Sequence, residues 1–103
     1  MRKKPKIPSD ILRALNYSST EEAALEMVLL SARSRYAEFC QEVNQFEAKY
    51  AMDFNAFQRA MEAPMNRENF ASEDDLMAWK FAHEAAQYWR QLIGELEHAA
   101  GSG

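Results

Sequence analysis

One cysteine, three glycines and three prolines in 103 residues exclude several classes of protein at once. Cys40 stands alone, so no intrachain disulfide can form, which fits a reducing, cytoplasmic setting. Two of the glycines close the chain in Gly101-Ser102-Gly103, leaving Gly94 as the interior one, and a β-rich domain needs more turn residues than that. No apolar run approaches the roughly 18 residues that a membrane helix requires. The basic opening is followed by Pro8-Ser9-Asp10 rather than by an apolar stretch, so no secretory signal and no membrane partner are expected. A Gly-rich phosphate loop is also missing, and with it the usual nucleotide cradle.

Charge is scarce in one sign only. The net charge is −4, yet Arg2, Lys3, Lys4 and Lys6 put four cations and no acid into the first six residues. The rest of the chain therefore holds eight bases against sixteen acids. Such a body argues against a broad nucleic-acid surface, which needs clustered cations. The basic head, residues 1–9, reads as an extended arm, with Pro5 and Pro8 opposing regular structure. Its four cations are the candidate contacts if nucleic acid is bound at all.

What is abundant is apolar periodicity. Ser9 or Asp10 is placed to cap a short turn of helix carrying Ile11, Leu12 and Leu15, and Asn16-Tyr17-Ser18-Ser19 reads as a turn. Ser19 with Glu22 forms a capping box, in which each side chain satisfies an otherwise orphan backbone N–H. From there to Tyr50 neither Gly nor Pro interrupts. Leu25, Leu29, Ala32, Tyr36, Phe39, Val43, Phe46 and Tyr50 recur at steps of four and three, the coiled-coil period. Asp53 can cap a third helix with Phe54, Phe57 and Met61 on one face, and Ala63-Pro64 ends it. Residues 64–71 read as a loop. Ser72, followed by Glu73, Asp74 and Asp75, reads as the cap and acidic first turn of the last helix.

That last helix carries two stripes. Leu76, Trp79, Ala82, Ala86, Trp89, Ile93 and Leu96 make one, and Phe81, Ala85, Tyr88 and Leu92 make the other. One can pack on the stripe of the first long helix. The other then needs a partner chain, so Phe81, Tyr88 and Leu92 are the candidate partner-binding residues.

No catalytic, metal or cofactor site emerges. Glu95 and His98 form one Glu-x-x-His pair, where di-iron bundles need two such pairs and two further carboxylates. His83 has no nucleophile or acid at a spacing that would make it a general base. Cys40, beside Phe39, reads as a small buried hydrophobe.

Three segments together resemble a known group. They are Phe46 to Phe57, Glu73 to Trp89, and Ile7 to Leu15 with Glu21-Glu22-Ala23. They are similar to segments of small helical antitoxin-like proteins of prokaryotic type II toxin–antitoxin pairs. The resemblance implies a protein that binds and blocks a toxin-like partner, often a nuclease. It also implies Gly after Lys49-Tyr50, where this chain has Ala51. Either the left-handed turn that ends the helix is kept at a cost of about 1 kcal/mol, or the turn is rebuilt.

The expected architecture is all-α: a long antiparallel helical hairpin, residues 20–50 against 72–97, with a short cross-helix at the turn end. Residues 1–9 form the arm, 10–97 one helical domain and 98–103 a disordered tail. The expected function is a non-enzymatic, cofactor-free protein-binding module that meets a toxin-like protein, a second copy of itself, or both. The alternatives are a self-associating structural domain and a DNA-binding regulator that uses the basic arm.

Overall fold

A computed structural model of the chain describes residues 6–63 and 70–101, the side chains of residues 70 and 71 excepted. Four helices follow one another: α1 (Ser9–Ala14), α2 (Thr20–Tyr50), α3 (Phe54–Glu62) and α4 (Phe70–Gly101). No strand occurs among the described residues.

The caps show why the helices start and stop where they do. α1 has Pro8 at its N-cap and no side-chain cap, so neither Ser9 nor Asp10 plays the expected role; Ser9 is already helical. It ends at Ala14 with Leu15 as its C-cap, and the next residue, Asn16, has a φ of 64°, in the left-handed region that a short polar side chain tolerates. There the Tyr17 N–H donates to the Leu12 carbonyl at 2.8 Å and the Asn16 N–H to that of Arg13 at 3.0 Å, the pairing of a Schellman turn.

α2 begins as expected, with the Glu22 N–H donating to Ser19 Oγ at 3.1 Å. The return bond is displaced by one residue. Glu22 accepts from the backbone N–H and the hydroxyl of Ser18, not from Ser19. These bonds hold the Glu22 carboxyl below its ordinary range. α3 is capped as expected, by Asp53 Oδ1 accepting from the Ala56 N–H at 2.8 Å.

α2 and α4 pack together and run antiparallel. Lys49 meets Asp75 at one end, Phe46 stacks on Trp79 nearby, and Arg33 meets Glu97 toward the other end. All eight residues of the α2 stripe and all seven of the first α4 stripe are buried or half-buried. The densest packing is aromatic. Trp79 is 0% exposed, with Phe46, Tyr50, Phe54 and Phe57 around it at ring-centroid distances of 5.0–6.0 Å. Phe54 and Phe57 bring α3 into this cluster.

Two boundaries differ from expectation. α4 begins at Phe70, so Ser72 lies inside the helix and hydrogen-bonds Tyr50 instead of capping. At the other end the helix runs on to Gly101, through residues assigned to a disordered tail. Ala99 and Ala100, both exposed, line a groove with Leu25 and Leu29 of α2. Arg2, Lys3 and Lys4 fall outside the described residues, as do Pro64 and most of the predicted loop.

The molecule is thin. Its extents are 64 × 34 × 20 Å. The radius of gyration is 20.5 Å, against roughly 13 Å for a compact chain of this length. No helix of the described residues is long and apolar enough to cross a membrane.

Candidate functional site

The second stripe of α4 is left largely in the open. Phe81 is 64% exposed and Tyr88 58% exposed, while Ala85 and Leu92 are half-buried. Phe81 touches α2 edge-on through Phe39, with centroids 5.8 Å apart. Tyr88 makes its ring contact with the adjacent Trp89, also edge-on, at 5.7 Å.

Leu92 opens the stripe into a groove of about 480 Å³ between α2 and α4. Its apolar walls are Met27, Val28 and Ala32 from α2, and Trp89, Leu92 and Leu96 from α4; Arg35 and Glu95 stand beside them. Eleven residues, about three helical turns, separate Phe81 from Leu92, so both lie on one side of α4. The exposed aromatics and the groove thus form one continuous apolar face.

Helical geometry places α3 on the far side. His83 is nine residues from Leu92, half a revolution around the helix, and it stacks on Phe54 of α3 with centroids 5.0 Å apart. α3 therefore leaves the Phe81–Leu92 side bare. On the His83 side lies a smaller groove of about 220 Å³, whose walls include Tyr36, Cys40 and Arg90. Cys40 is half-buried rather than buried, and its hydrogen bond with Tyr36 raises the Tyr36 hydroxyl above its ordinary range.

α2 contributes residues that lie off its periodic stripe. Met27 and Val28 are more than half exposed and line the groove. The signal was Met27-Val28-Leu29-Leu30. Four consecutive apolar residues sweep most of a helical turn, and only Leu29 can enter the seam with α4. Trp89, assigned to the seam alone, also forms part of the groove wall.

The remaining sequence candidates are scattered. His83 pairs with Gln87 at 3.4 Å and lines the smaller groove along with Cys40 and Tyr36. His98 is exposed on the last turns of α4, and Lys6 is exposed before α1. No group of three or more His, Cys, Asp or Glu side chains suited to a metal occurs among the described residues.

A tighter polar cluster sits at the other end of the seam. Asp75 accepts from the Lys49 ammonium at 2.6 Å and from the Tyr50 hydroxyl. Lys49 first, then Tyr50, hold the Asp75 carboxyl below its ordinary range, and the same carboxylate raises both Lys49 and Tyr50. This joins the end of α2 to the start of α4 and fixes their register. Comparison with family models, with curated proteins and with solved structures returned no match.

Proposed function

We propose that the chain is a non-catalytic, cytoplasmic protein-binding module. In this reading α2 and α4 form the hairpin that presents the face, and α3 is the cross-helix that closes its turn end. The observation that carries the proposal is the bare face from Phe81 through Tyr88 and Leu92 into the Met27–Val28 groove. Monomeric proteins seldom leave so continuous an apolar strip in water. Aromatic side chains on a rigid helix are also the residues that anchor protein interfaces.

The resemblance to antitoxin-like proteins supplies the class of partner, a toxin-like protein that the module neutralises. The test is genetic. The reading frame next to this gene is expressed in a heterologous host, alone and together with this chain. Growth arrest by the neighbour alone, relieved on co-expression, is the expected result. A neighbour that never impairs growth removes the antitoxin reading and leaves a binding module of another kind.

A further inference from the structure

We infer that the apolar face is covered by a second copy of this chain, two hairpins stacking face to face into a four-helix arrangement. The inference rests on the reading that this face is an interface; it gives the face itself to a second copy, so that a toxin-like partner meets the paired hairpins on their outer surface.

The first argument is area. The chain exposes 8358 Å². A compact monomer of this mass exposes about 5,900 Å². The surplus is about 2,400 Å², and it falls to roughly 800 Å² even if the residues outside the described set are counted as fully exposed. Stable dimers of standard size bury about 800 Å² per partner, and obligate ones more. One interface of that size removes the surplus.

The second argument is layering. Domains bury their apolar faces between two packed layers. Here α2 and α4 make a single layer, and the shortest dimension of the molecule is 20 Å. α3 supplies a second layer at the Trp79 end. In the half of the hairpin beyond Trp89, the buried residues among those described are Ala23, Leu29 and Ala32, none larger than leucine. Trp89 and Leu92 there are half-buried. A second hairpin laid on this side turns the groove into an interior, in the manner of four-helix bundles.

The third argument is self-complementarity. A twofold interface brings a patch against itself, so a border of one sign repels its own copy. The groove is bordered by both signs, Arg35 from α2 and Glu95 from α4. The two side chains lie on different helices, so a rotated copy can set one against the other.

The experiment is sedimentation equilibrium of the full chain over a hundredfold concentration range, at two salt concentrations. The variants are Tyr88→Glu, Leu92→Glu, Tyr88→Ala and, on the opposite side of α4, Gln87→Glu. Far-UV circular dichroism monitors folding, and Tyr88→Ala serves as the milder change should either glutamate unfold the chain. The expected result is a wild-type dimer that Gln87→Glu preserves. Tyr88→Ala should weaken it about thirtyfold, the size of an anchor residue's loss, and the glutamates should abolish it while helicity is kept. A wild type that stays monomeric at the highest concentration overturns the second copy as occupant. In that event, binding of an apolar dye that is lost in folded Tyr88→Glu retains the face as an interface for another protein. A dimer indifferent to all three changes at Tyr88 and Leu92 overturns both the occupant and the face.

Discussion

Lys49 and Asp75 stand 26 positions apart in sequence, and the ammonium of one lies 2.6 Å from a carboxylate oxygen of the other. The pair joins the last turn of α2 to the first turns of α4, with α3 and its connections between them. A shift of either helix by one turn, about 5.4 Å, would break it.

This contact has a defined pH signature. The Asp75 carboxyl is held below its unfolded range, mainly by Lys49 and then by Tyr50. Its contribution is therefore fully present above about pH 4 and is lost as pH falls through the lowered folded value. Lys49 and Tyr50 are raised, so their contribution holds below about pH 10 and disappears as pH climbs through their folded values. Thermal melts from pH 2 to 7 should show Asp75→Asn losing stability at neutral pH and losing less than the wild type on acidification. Parallel acid limbs for the two proteins would contradict this assignment.

Ala51 is expected to be a weak point. Its φ of 54° and ψ of 38° keep the left-handed geometry, although the residue has a Cβ. Ala51→Gly relieves roughly 1–2 kcal/mol of steric cost. It gives back about 0.4–1 kcal/mol through the more flexible unfolded chain. The variant should be more stable by about 0.5–1 kcal/mol, which at fixed protein concentration raises Tm by several degrees. A lower Tm would mean that the turn relaxes away from this conformation.

Trp79 should be the most sensitive single position. It is fully buried among four aromatic rings, so Trp79→Ala is expected to cost about 3–5 kcal/mol in a urea titration. Trp79→Phe should cost much less. Among the described residues the indole N–H has no hydrogen-bond partner, so the smaller ring sacrifices packing volume but no bond. A Trp79→Phe loss as large as about 3 kcal/mol would show that more than packing volume is lost with the indole.

The start of α2 offers a fourth check. Ser19→Ala removes the acceptor for the Glu22 N–H and should cost about 1 kcal/mol. The Glu22 carboxylate does not compensate, since it is engaged by Ser18. An unchanged urea midpoint would mean that water caps this helix equally well.

The seam of the fold was legible in the sequence because a stripe needs only one residue per turn to announce itself. Leu25 through Tyr50 and Leu76 through Leu96 read true for that reason, as did Asp53, whose cap is local. The open face was half legible. Phe81, Tyr88 and Leu92 stood out on α4, but Met27 and Val28 did not stand out on α2, because a heptad frame credits one position and discounts its neighbours. Ser72 misled because a serine ahead of three acids fits a cap, while its tertiary bond to Tyr50 has no local signature. Glu22 was one residue out for a similar reason. The side chain can reach either Ser18 or Ser19, and only the path of the turn decides which.

The uneven thickness of the molecule carries a last consequence, for amide hydrogen exchange. Around Trp79 three helices close over one another, so exchange there requires the cooperative loss of the whole aromatic cluster. Beyond Trp89 the backbone is covered by a single neighbouring helix, and it can fray from the Thr20 and Gly101 ends without disturbing the rest. Protection should therefore fall along the long axis, from slow amides near Phe46 and Trp79 to fast ones near Leu25 and Leu96. If a second hairpin covers the thin half, those fast amides slow as protein concentration rises, while the slow ones at the other end change little.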